Sequence, residues 1–183
     1  PIIFLSYGSF YKEKFLNKEI KKNPYVIRVI GSNVSLNRFF DNTQTELIIE
    51  GTLTLLGTAE ASVVFAGEYA SAGQWGALVF TEGATTGALD HVTIEGSNTG
   101  IYHQRQAGLA LNGLTISNSN KAVFAHADGG PLTVKASQFF SMTYEHIETQ
   151  NAQVDIRNSL FRGLGSYSAL KATNEAVSDV FFT

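Results

Sequence analysis

Apolar residues recur along most of this chain with a long, regular step. Leu89, Leu111, Val134, Ile156 and Val177 are separated by 22, 23, 22 and 21 residues. Five positions further on, Ile94, Ile116, Phe139, Phe161 and Phe182 repeat the same steps, with Val92, Leu114, Ser137, Ser159 and Val180 between the two columns. A further column, Leu78, Ile101, Val123, Ile147 and Leu170, steps by 23, 22, 24 and 23. Columns that hold one period through five copies mark an array of like structural units. Within a copy the pattern alternates, as in Val154–Asp155–Ile156 and Leu114–Thr115–Ile116, which is the signature of a half-buried strand. One residue stands between the two alternating stretches: His91, Gly113, Ala136, Asn158 or Asp179. Gly, Asn, Asp and His tolerate positive φ, so the column reads as a bend between short strands, with Ala136 as the exception.

A unit of about 22 residues has too little apolar surface to close a core alone, so the copies must stack, each strand pairing with its counterpart about 4.8 Å away. The pattern predicts an all-β parallel β-helix, a solenoid of about 22–23 residues per coil with Leu, Ile, Val and Phe stacked inside. The rival leucine-rich repeat would need a Leu-x-Leu-x-x-Asn consensus and a helix in each copy, and no copy supplies either. The solenoid is assigned to residues 46–183. Residues 1–45 form an N-terminal capping segment, with a possible helix at 10–22: Tyr11, Phe15, Leu16 and Ile20 share one helical face, Lys12, Lys14, Lys18 and Lys21 lie mostly on the other, and Asn23–Pro24 supplies a stop. Such a cap would cover the open strand edges of the first coil. Alternatively, Pro1–Phe4 ends an earlier strand like Val63–Phe65, and the start at Pro1 suggests a piece excised from a longer chain.

Gly51–Thr–Leu–Thr–Leu–Leu–Gly57–Thr58, Val63–Val64–Phe65 and Gln74–Trp75–Gly76–Ala77–Leu78 together resemble the opening phrase of bacterial right-handed parallel β-helix proteins. The later copies, such as Val154–Asp–Ile–Arg–Asn–Ser–Leu–Phe161, resemble the Asn-rich repeats of the pectate-lyase-like superfamily. Ala77 stands where a second Gly is usual. The resemblance implies a right-handed coil and an extracellular or cell-surface setting. It is unspecific for activity, because that superfamily spans polysaccharide lyases and hydrolases, tailspikes and adhesins. Trp75 belongs to the phrase and is expected in the core.

Composition narrows the chemistry. The chain has 183 residues, 44% hydrophobic and 16% charged, and no Cys, so disulfides and Cys-ligated metals are excluded. The net charge of −3 divides into +4 over residues 1–45 and −7 over the remainder, and so acidic a body disfavours a nucleic-acid partner. No apolar run approaches the roughly 18 residues of a membrane-spanning helix.

No nucleophile elbow, P-loop, dinucleotide fingerprint or His-Glu-x-x-His motif occurs. The acids of the repeats do not assemble into a stacked pair, and Lys135 lies under Arg157 rather than an acidic cluster, so no catalytic residue, cofactor or metal site is assigned. His103 and His126 are one coil apart, with Glu148 as a third ligand at most; bend or surface histidines are the preferred reading. The feature singled out is an outward column beside the inward Leu78, Ile101 and Val123. It comprises Val79, Tyr102 and Phe124, is continued by Glu148 and Lys171, and has His126 close by. Such a row would serve as a sugar-stacking or partner-docking strip unless a loop covers it.

The expected function is a non-catalytic extracellular β-helix module of a bacterial surface or adhesion protein, binding a glycan or a partner subunit through Val79, Tyr102, Phe124, His126 and Glu148, with flanking domains or subunits possible at the solenoid ends. The alternative is part of a polysaccharide-degrading β-helix lyase or glycoside hydrolase. Near-uniform copies, with no long loop to wall a cleft, favour the first.

Overall fold

Three short strands per turn stack into three parallel sheets. The computed structural model describes residues 2–6, 18–21, 26–30, 46–49, 52–67, 69, 71–127, 129–163, 166–173 and 180–182. Sheet I contains Leu47–Ile49, Leu78–Phe80, Thr99–His103, Lys121–Ala125, Ile147–Gln150 and Leu170–Thr173. Sheet II contains Lys18–Lys21, Thr52–Leu56, Thr85–Asp90, Leu109–Asn112, Leu132–Lys135, Val154–Arg157 and Val180–Phe182. Sheet III contains Ile2–Ser6, Val26–Ile30, Val63–Ala66, Val92–Glu95, Thr115–Ser117, Gln138–Phe140 and Leu160–Arg162. From Leu47 the chain visits sheets I, II and III in turn and then begins the next coil. The protein is an all-β parallel β-solenoid, with no helix among the described residues.

The apolar columns of the sequence are the ladders of the sheets. Leu47, Leu78, Ile101, Val123, Ile147 and Leu170 lie side by side in sheet I. Leu111, Val134 and Ile156 do so in sheet II, and Ile94, Ile116, Phe139 and Phe161 in sheet III. Their side chains fill one continuous core, in which Phe65, Phe80, Ile94, Leu111, Ile116 and Phe139 are fully buried. Because each coil buries its apolar positions against the coils above and below, stability is a sum over neighbouring interfaces.

The predicted bend column is left-handed throughout its described length: His91, Gly113, Ala136 and Asn158 have φ of 49°, 64°, 48° and 49°. Ala136, the exception by residue type, adopts the same conformation, because amide-to-carbonyl hydrogen bonds between coils fix the corner: Gly113 N–H to Lys135 O and Ala136 N–H to Arg157 O. The lattice overrides the local preference. A left-handed alanine carries a cost of about 1–2 kcal/mol, partly offset by the extra unfolded-state freedom of glycine. Ala136→Gly is therefore expected to raise stability by about 0.5–1 kcal/mol in urea denaturation. Gly113→Ala is expected to lower it, because the new Cβ would sit 3.1 Å from the His91 ring. A second bend column, Gly96, Asn118, Ser141 and Gly163, also has positive φ and leads from sheet III into sheet I.

Two expectations change. The possible helix at 10–22 lies largely outside the described residues, but its described part, Lys18–Lys21, is a strand paired in parallel with Thr52–Leu56. Ile20 between Glu19 and Lys21 fits a period of two as well as a helical face, and sheet II offers its backbone an edge to pair with. At the other end, Phe182 does not continue the sheet III column. Val180–Phe182 joins sheet II, with Val180 beside Val154 and Phe182 beside Ile156. Val177 and Asp179 lie outside the described residues.

Candidate functional site

Alternation along a strand sends successive side chains to opposite faces, so the residue after each inward position of sheet I points away from the core. Ile48, Val79, Tyr102, Phe124, Glu148 and Lys171 accordingly form a second ladder on the outer surface. The Tyr102 and Phe124 rings stack with centroids 5.2 Å apart, and the His126 ring lies 6.1 Å from Tyr102 and 6.4 Å from Phe124. The structure thus brings Tyr102, Phe124 and His126 together, with Val79 and Glu148 in register on either side.

The row is not the open strip that the sequence suggested. Val79 is fully buried and Tyr102 is 5% exposed; with Ala77 they make a small hydrophobic cluster separate from the main core, against which Phe124 packs. Outward apolar groups gain from leaving water just as inward ones do, about 25 cal/mol for each Å² removed. Phe124 and His126 are half-buried, and the accessible part of the row begins there.

Beyond Phe124 the ladder becomes charged. Lys121 contacts the carboxylate of Glu148 directly, approaches Glu145 at 4.0 Å, and holds its ammonium 5.3 Å from the centre of the Phe124 ring. Lys171 lies 3.3 Å from Glu148 and 3.5 Å from Glu145. Two lysines and two glutamates thus form a closed, charge-balanced quartet in which the carboxylates are the more buried members. Burial alone would push the Glu148 carboxyl up, but hydrogen bonds and charge from Lys121, then Lys171, outweigh it and hold it below the ordinary carboxylate value. The hydrogen bond to Glu148, together with the charges of Glu148 and Glu145, raises Lys171.

The quartet was not foreseen as a unit. Glu145 precedes the strand in a corner, so no column count singled it out, although two apolar columns on either side are in register. Both carboxylates lie within 3.5 Å of the Lys171 ammonium, which places their oxygens within about 7 Å of each other, in the range that glycosidases use. A glycosidase pair, however, needs one carboxyl raised so that it can donate a proton. Glu148 is shifted the opposite way, and both groups are neutralised by lysine.

The other residues considered for chemistry are occupied by the scaffold. Asp155 binds Arg157 two residues along the same strand at 2.8 Å, with Lys135 beside Arg157 in register. His103 does not meet His126 at a shared ligand position. Its buried ring donates from Nε2 to the Gly130 carbonyl at 3.0 Å, and its Nδ1 accepts the Arg105 N–H at 3.2 Å. His146 is fully buried, donates to the Arg162 carbonyl at 2.9 Å and meets the Phe161 ring edge-on. Among the described residues no three His, Asp or Glu converge to hold a metal ion, and no helix is long and apolar enough to cross a membrane.

No family model, curated protein or solved structure matches the chain. The parallel β-solenoid therefore stands on the geometry of the chain itself.

Proposed function

We propose that this chain is a non-catalytic solenoid module that binds carbohydrate on the outer side of sheet I, within an extracellular or cell-surface protein. The observation that carries the reading is the neutralised quartet beside half-buried rings. Phe124 and His126 offer apolar ring surface, and Lys121, Glu145, Glu148 and Lys171 supply fixed donors and acceptors next to it. Carbohydrate recognition calls for an apolar platform with a few oriented polar groups, already formed before the ligand arrives. A lattice of stacked strands supplies that rigidity. The extracellular setting, and kinship with bacterial β-helix proteins of the pectate-lyase-like kind, rest on the Gly51–Phe65 and Trp75–Leu78 phrases.

The test combines a glycan array with a cleavage assay on the same polysaccharides. The expected outcome is binding to at least one polysaccharide without release of reducing ends or unsaturated products. Cleavage that persists through purification and disappears in Glu148→Gln would establish the enzymatic alternative instead. A chain that is folded by circular dichroism yet binds no glycan would end the carbohydrate reading.

A further inference from the structure

The two exposed tyrosines nearest the quartet stand together. Tyr144 and Tyr167, one coil apart, meet edge-to-face with centroids 5.3 Å apart and at 89°, while remaining 44% and 45% exposed. They occupy the corner that leads from sheet III into sheet I. One coil earlier the same corner is built from asparagine: the Tyr144 N–H donates to the Asn120 carbonyl at 2.8 Å, and the Asn120 side chain donates to that of Asn98 at 2.9 Å. The corner thus changes from asparagines joined by an amide hydrogen bond to a pair of exposed aromatic rings at the coils that carry Glu145, Glu148 and Lys171.

Two exposed aromatic rings that adjoin form a patch rather than isolated groups, and a pair held at right angles on a rigid corner offers two walls. Glu145 follows Tyr144 directly, and Lys171 lies four residues after Tyr167 and is the most exposed member of the quartet. An aromatic face and a polar edge therefore adjoin on one corner. Local charge limits what they can hold. The lysines of the quartet are already balanced by two glutamates, and residues 46–183 carry −7, so an anionic sugar meets compensated lysines at the notch within a repelling field.

We propose that the Tyr144–Tyr167 notch, with Glu145 and Lys171 at its edge, is the contact site for neutral glycans; this rests on the carbohydrate reading above and names its ligand class and contact residues. The pyranose C–H face packs on a tyrosine ring, while ring hydroxyls donate to Glu145 and accept from Lys171. Tyr69, 63% exposed and in an earlier coil away from the quartet, is the control.

The experiment screens the full chain on an array of neutral and uronic-acid oligosaccharides, then titrates the best-bound array member into wild type, Tyr144→Ala, Tyr167→Ala, the double alanine variant and Tyr69→Ala. Neutral oligosaccharides are expected to bind. Each single alanine variant is expected to weaken binding about tenfold, the double variant to abolish it, and Tyr69→Ala to change it less than twofold. Tyr144→Phe and Tyr167→Phe keep the ring and should stay within about threefold of wild type. Undiminished binding by a folded double variant, or a preference for uronic-acid sugars, would overturn this site while leaving carbohydrate binding in place. Absence of binding by the wild type to every array member would overturn both.

Discussion

Trp75→Ala is expected to cost about 3–5 kcal/mol, as large-to-small changes of fully buried aromatics do. Trp75 is completely buried, stacks on Phe65 with centroids 6.5 Å apart, and donates its indole N–H to the Glu95 carbonyl at 2.8 Å. Its backbone bridges to Ser97 in the next coil, where Ser97 and Ser119 join hydroxyls at 2.8 Å. One large ring thus sits beside small serines, so its removal would leave a cavity in the core. The stacked architecture adds a second consequence. Each coil is stabilised mainly by the coils next to it, so a cavity at this point weakens the coupling between the flanking parts of the solenoid. Urea denaturation followed by circular dichroism should show a lower midpoint and a broader transition, because two-state cooperativity is what a damaged array loses first. Trp75→Phe separates packing from hydrogen bonding. It keeps most of the ring, and the Glu95 carbonyl retains the Gly67 N–H, so a loss of about 1–2 kcal/mol is expected. An alanine variant as stable as wild type would show that the indole does not hold these coils together.

The same stacking explains which parts of the molecule the sequence disclosed. Inward positions repeat because every coil must present an apolar group to the same column, so the ladders through Leu78–Leu170, Leu111–Ile156 and Ile94–Phe161 follow from counting. The bend at Ala136 was legible from its neighbours and not from its own type. Counting fails where a short pattern fits two columns. Val180-x-Phe182 matches Val154-x-Ile156 as well as Ser159-x-Phe161, and backbone pairing chose the former. Lys18–Lys21 is ambiguous in the same way between helix and strand. The outward row was placed correctly by alternation, but exposure depends on what packs against a face, and the burial of Val79 and Tyr102 leaves no trace in the period. Tyr144, Tyr167 and Glu145 stand in corners, where residue types vary from copy to copy. Their separation of one coil was present in the sequence, and it becomes meaningful only once the corner is seen to bring the rings together.

Acid is expected to unfold the protein in two stages, the first set by two buried histidines. Burial lowers His103, opposed by its hydrogen bond to Gly130 and assisted by the nearby Arg105 charge. Burial also lowers His146, opposed by the Arg162 carbonyl. Both rings are neutral donors through Nε2. A proton added at Nδ1 of His103 would face the Arg105 N–H instead of accepting from it. A proton added at Nδ1 of His146 would enter a buried position with no partner among the described residues. Once unfolded, both side chains take up protons below about pH 6.5, whereas the folded state resists. Stability is therefore fully present above that value and declines as the pH falls towards the folded-state values, by up to about 1.4 kcal/mol per pH unit for each histidine. The second stage begins near the ordinary glutamate value of about 4.3, where unfolded Glu148 protonates but the lysine-bound folded form does not. Lys171 works in the opposite direction: its folded-state value is raised, so its contribution persists through neutral pH and is lost only in strong alkali. Urea midpoints measured from pH 7.5 to pH 3.5 should show both declines. The double variant His103→Gln/His146→Gln should be less stable at pH 7.5 and should lose most of the dependence between pH 6.5 and pH 5, while keeping the decline below pH 4.5. An unchanged slope above pH 5 would show that these two buried histidines do not set the first stage.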